Sequence, residues 1–147
     1  MSDKTTQMTA ILSTIIDFYY TYKYFHWNLV DSDFIEYHEL FDAHAILIYK
    51  SQDVIAERMR QMGESVIGLL SEYQSNSHIS KEKPDSKNNI QNILKYIKEQ
   101  HDITIKLLEE TIDFASENKD FSTADILTKY LQDHQKMQWF IKSSISS

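Results

Sequence analysis

Five side chains of metal-ligating type, His26, His38, Asp42, Asp53 and Glu57, follow one another in helical register. If the run from Phe34 to about Met62 forms a single helix, a rotation of about 100° per residue puts His38, Asp42, Asp53 and Glu57 at roughly 0°, 40°, 60° and 100° on its wheel. All four then share one face. His38/Asp42 and Asp53/Glu57 are each spaced i,i+4, which sets two side chains next to each other. Between Asp42 and Asp53, however, such a helix rises roughly 16 Å, whereas metal–ligand bonds span only about 2.0–2.6 Å. One ion cannot touch both pairs. Two copies packed antiparallel about a two-fold axis would bring Asp53/Glu57 of one opposite His38/Asp42 of the other, giving a symmetric dimer two identical sites. His26 sits near the end of the preceding helix and reaches His38 once the two helices fold back.

Two imidazoles and three carboxylates without a thiolate suit iron, zinc or manganese. Acids on a helix are ordinarily a solvated face, and a lone histidine is ordinarily a core or surface residue. The common register of five such residues outweighs those readings. His44, about 240° from His38 on the same wheel, lies on the far face and keeps the ordinary one.

The rest of the composition restricts what can hold these groups in place. A length of 147 residues fits one domain, 1–147, with a short non-basic tail over about 1–8. Only two Gly and one Pro occur, which favours long helices over many short strands. There is no Cys, so disulfides, thiolate zinc sites and Cys catalysis are excluded. No apolar run approaches the ~20 residues needed to span a bilayer. The first residues lack the basic and apolar regions of a signal peptide. The expected location is the cytoplasm. A net charge of −7 and a pI near 5.3 argue against nucleic acid as the main partner, since phosphate binding needs a basic patch. An acidic protein suits cations.

Apolar periodicity predicts four long helices. The first runs from Thr9 to about Val30; its second half, Phe18 to Trp27, is aromatic nearly all round, which favours burial between subunits as well as within one. Asp31-Ser32-Asp33 breaks the chain and caps the second helix, Phe34 to about Met62, which Gly63 ends. A connector follows from Gly63 to Ser86. Its apolar piece, Val66 to Leu70, is a candidate short extra helix, and Ser75 to His78 reads as loop. The third helix spans Ser86 to about Glu117. Ser122-Thr123-Ala124-Asp125 resembles a capping box that opens the fourth, which runs through Ile141. The expected fold is all-α, a four-helix bundle with a crossover between its second and third helices, the ferritin-like arrangement.

Several stretches are similar to the signature of the Dps proteins, the mini-ferritins: His26-Trp27-Asn28-Leu29, Phe34, His38-Glu39-Leu40-Phe41-Asp42 and Asp53-Val54-Ile55-Ala56-Glu57-Arg58. Thr123 to Thr128 and Trp139-Phe140-Ile141 resemble the fourth helix of the same family. The resemblance implies a hollow spherical dodecamer that oxidises Fe(II), preferably with hydrogen peroxide, and stores the ferric mineral inside. Such a protein limits oxidative damage. The resemblance also implies that His26, His38 and Asp42 come from one subunit and Asp53 and Glu57 from its two-fold mate, with Glu57 as the bridge between two irons. Asp120 and Asp125 match acidic positions of the family's iron-entry pore, and Asp133 is a third candidate. Trp27, beside His26, is a candidate radical trap, with interface packing the favoured reading.

None of the six His has a Glu three residues before it, so the Glu-x-x-His centre of other ferritins is not expected. Asp31 stands where the family usually has Gly, and the connector lacks the family's Pro after the second helix. The ends offer only Lys4 and Lys142 where other members carry basic tails. DNA binding is therefore not expected. The alternatives are a DNA-compacting starvation protein, a metal-binding bundle without ferroxidase activity, and a zinc or manganese store on the same ligands.

Overall fold

A computed structural model describes residues 3–87 and 89–146. It contains α1 (Asp3–Asn28), α2 (Phe34–Gln61), α3 (Leu70–Asn76), α4 (Ile90–Glu117) and α5 (Phe121–Ser143), and no strand among the described residues. The apolar faces dictate the packing. α1 pairs with α2 and α4 with α5; α1 also packs on α4, and α2 on α5. This closes a four-helix bundle around Phe18, Phe25, Phe41, Ile48, Ile97 and Leu127, all essentially inaccessible to water. The connector between α2 and α4 lays the short α3 against α1. The all-α bundle, its crossover and a short extra helix therefore match the expectation.

Several boundaries move. α1 starts at Asp3, so most of the stretch expected as a tail is helical; Thr5, Met8 and Thr9 are buried there and hold the first turns down. The extra helix forms at Leu70–Asn76 rather than at Val66 to Leu70, and it takes in Ser75 and Asn76, expected as loop. Residues 64–69 are without regular structure, and the Tyr73 hydroxyl donates to the Ile67 carbonyl to tie this segment to the helix. α4 begins at Ile90, four residues after the expected Ser86, because the Asn89 side chain accepts from the Asn92 N–H at 2.9 Å.

The end of α2 is as expected. Glu64 N–H donates back to the Met59 carbonyl at 3.0 Å, with Gly63 at φ +86° in the left-handed region, the geometry that favours glycine after a helix. The start of α5 is a correction. Its N-cap is Asp120, which accepts from both the backbone N–H (3.2 Å) and the hydroxyl (2.7 Å) of Thr123. The expected capping box at Ser122 and Asp125 does not form, since the helix is already under way at Phe121.

Candidate metal centre

The last turn of α1 and the first turns of α2 place His26, His38 and Asp42 together. The Asp31 carboxylate accepts from the Asp33 N–H at 2.8 Å and the Asp31 carbonyl from the Phe34 N–H at 3.1 Å. This tight reversal folds α2 directly back along α1. His26 Nδ1 lies 2.6 Å from the His38 carbonyl, and His38 Nδ1 lies 2.7 Å from the His26 carbonyl. A carbonyl can only accept, so each Nδ1 must carry the proton. In its neutral form each ring is thereby left with its lone pair on Nε2, the form that binds a metal. The rings stack at 3.8 Å between centroids, 13° from parallel, and Phe34 stacks on His38 at 4.8 Å. Backbone and neighbours fix both imidazoles before any ion arrives.

Asp42 completes this half. Its Oδ1 is 3.8 Å from His26 Nε2 and 2.7 Å from Lys23 Nζ. The Lys23 hydrogen bond holds the Asp42 carboxyl below its ordinary range, outweighing the opposing effect of burial. The acid is therefore ionised at neutral pH, with an ammonium in the place where a cation would compete. Sequence reasoning passed over Lys23, although it lies three residues before His26 on the same helix.

Asp53 and Glu57 are elsewhere. Both are exposed on the second half of α2, and neither joins an ion pair among the described residues. Among the described residues, no cluster of three or more His, Cys, Asp or Glu is compact enough within one subunit to hold a metal ion. The geometry gives two partial donor sets on one helix face, separated by roughly three helical turns.

The other candidates have different surroundings. Asp120 receives Lys4 at 2.9 Å and Arg58 at 3.0 Å. Burial alone would raise its pKa, but the hydrogen bonds from Lys4 and Thr123 hold the carboxyl well below the ordinary range. Asp125 is exposed, and Asp133 pairs with Lys129 at 3.2 Å. Trp27 is 61% exposed. No helix among the described residues is long and apolar enough to cross a membrane.

Comparison with known proteins agrees with this architecture. The ferritin-like domain family matches residues 6–147. A DNA protection during starvation protein of Agrobacterium fabrum is 31% identical over 134 residues, covering 91% of this chain and 82% of that protein. The solved Dps of Mycobacterium smegmatis superposes with a TM-score of 0.91 at 26% identity, over 99% of this chain and 88% of its own. Dps from Staphylococcus aureus gives 0.92 at 20% identity, covering 99% of this chain and 96% of that one. A bundle of this topology, the ferritin-like match over nearly the whole chain and these relatives together place it: the chain belongs to the Dps mini-ferritins of the ferritin-like superfamily.

Proposed function

We propose that the protein is a ferroxidase and iron store. Fe(II) is its substrate, bound where two subunits meet, and hydrogen peroxide is the preferred oxidant. His26, His38 and Asp42 of one subunit would face Asp53 and Glu57 of its two-fold mate, with Glu57 between two irons. The observation that carries this reading is the reciprocal lock of His26 and His38. In their neutral form the two rings present bare Nε2 atoms beside an ionised Asp42, in a subunit whose Asp53 and Glu57 stand exposed further along α2. Neutral imidazoles with carboxylates suit Fe(II), and zinc or manganese would occupy the same donors.

The wider assembly follows the family. Twelve subunits would enclose a cavity in which ferric mineral collects, protecting the cell from both reagents. Tyr20, Trp27, Tyr49 and Trp139 are each more than half exposed in the single subunit, an apolar surface that a homo-oligomer would cover. Trp27 then serves interface packing rather than radical trapping. Asp125, exposed on α5, is the better candidate for an iron-entry pore, because Asp120 is already engaged by Lys4 and Arg58 and Asp133 by Lys129. The location is the cytoplasm. The names of the relatives refer to DNA protection, but a net charge of −7 favours chemical protection over DNA compaction here.

Peroxide consumed per Fe(II) tests the reading. One peroxide should serve two Fe(II), each iron giving one electron, with no hydroxyl radical released. A persistent one-to-one ratio with radical release would overturn it.

A further inference from the structure

The bundle core contains a polar chain that the ferroxidase reading leaves unused. Each of the four long helices contributes one member: Tyr22 from α1, His44 from α2, His101 from α4 and His134 from α5, all 2% exposed or less. The Tyr22 hydroxyl lies 2.9 Å from His44 Nδ1 and 2.6 Å from His101 Nε2. The other ring nitrogen of His101, Nδ1, is 3.1 Å from His134 Nδ1.

A phenol has one proton and can donate to one side only. The shorter contact assigns that proton to the His101 side. His101 Nδ1–H then donates to His134 Nδ1, and His44 Nδ1–H donates to the Tyr22 oxygen. This leaves His44 Nε2 as a bare lone pair, and that atom is indeed buried without a hydrogen-bond partner among the described residues. A buried acceptor left bare is better tolerated than a buried N–H, which supports the same direction.

The chain starts close to the candidate site. Tyr22 is one turn before His26 on α1, about 6 Å along the axis. Its ring meets Phe41 edge-on at 5.7 Å, and Phe41 is the neighbour of Asp42. A phenol that loses one electron becomes strongly acidic, so it is a competent donor only where a base can take its proton. Tyr22 has that base in contact and a second one behind it.

We infer that Tyr22 is an internal one-electron donor, its proton passing to His101 and on to His134, when peroxide meets a site holding a single Fe(II). The inference rests on the ferroxidase reading. The O–O bond of peroxide breaks and two waters form, using two protons from solvent. One electron comes from Fe(II) and one from the phenol. The phenol proton goes to His101 Nε2 while the His101 Nδ1 proton goes to His134 Nδ1, leaving a neutral phenoxyl at Tyr22 and an imidazolium at His134. Burial lowers the basicity of His134 to about 3, yet an oxidised phenol is a far stronger acid. A second Fe(II) returns the electron and the proton retraces its path. The sum is two Fe(II), one peroxide and two protons giving two Fe(III) and two waters.

The test is rapid-freeze electron paramagnetic resonance of the assembled protein, mixed with one Fe(II) per site and then one peroxide. Wild type should give a tyrosyl signal that a second Fe(II) removes; Tyr22→Phe should lose it while Fe(III) still forms. His101→Gln keeps the ring of Tyr22 but not its base, and should cut the signal several-fold; it also serves if Tyr22→Phe does not assemble. The same signal in Tyr22→Phe, from another of the nine tyrosines, would overturn the inference, as would Fe(III) formation in wild type without any organic radical. If peroxide does not oxidise Fe(II) at all, the ferroxidase reading fails instead. A photogenerated ruthenium(III) oxidant on iron-free protein then decides for Tyr22: its signal should appear in wild type and be absent from Tyr22→Phe, and equal signals would refute the relay.

Discussion

Acid should unfold this bundle at a pH where most carboxylates are still ionised, because its core contains three neutral imidazoles. Burial lowers the His44 pKa to about 4 and that of His134 to about 3, and burial with the neighbouring His134 and His44 pushes His101 well below its ordinary value of 6.5. The sign follows from linkage. Below pH 6.5 the unfolded chain takes up protons on these rings while the folded chain does not. Their contribution is therefore intact above 6.5 and is lost as pH falls towards the folded values. At pH 5, each ring that stays neutral costs about 2 kcal/mol relative to pH 7. Three such rings amount to about 6 kcal/mol, comparable to the whole stability of a domain. The assay is denaturant unfolding followed by circular dichroism at pH 7, 6 and 5, at fixed protein concentration because assembly adds stability. A loss of less than about 1 kcal/mol between pH 7 and pH 5 would refute the reasoning. So would an unchanged slope in a variant with His101 and His134 both replaced by Gln.

Asp120→Asn should lower the thermal midpoint, by about 1–3 kcal/mol of stability, since it loosens Lys4, Arg58 and the α5 cap together. Asp125→Asn, at an exposed position, should leave the midpoint unchanged and slow iron uptake; unchanged uptake would remove Asp125 from the pore. Gly63→Ala should cost about 1 kcal/mol through backbone strain alone, because φ is +86° and a Cβ would meet nothing within 4 Å. Calorimetry showing no loss would contradict that. DNA in a gel-shift assay at physiological salt should not be retarded, and a clear shift would show that the negative net charge conceals a local basic surface.

The extent to which the chain was readable differs from element to element. The α2 register placed four candidate ligands on one face because a helix of 28 residues carries its period without interruption. Gly63 marked its end for the same local reason. The start of α5 was misread by two residues: its cap is the local Asp120–Thr123 contact, and Ser122 offered an equally good capping residue in the sequence. The connector was misread because α3 is held by packing on α1 rather than by its own periodicity. His44 was given the ordinary reading of a far-face histidine, and it is a core residue. His101 and His134 were passed over, although both continue the apolar registers of Leu94 and Ile97, and of Leu127 and Tyr130. Spacing could have placed them inside, but their meeting with Tyr22 is a tertiary fact.

The proposed sharing of a metal centre between subunits is tested most directly by mixing two defective variants. One lacks the imidazole half, with His26 and His38 replaced by Gln; the other lacks the acid half, with Asp53→Asn and Glu57→Gln. In a two-fold dimer holding one of each, one site loses both halves and the other is intact. Random pairing makes half of the dimers mixed, so about a quarter of the wild-type sites should return. Anaerobic Fe(II) binding per subunit measures this: each variant alone should bind almost none, and the co-assembled mixture should recover about that quarter. A mixture that binds no more than its parents would contradict a centre built from two chains.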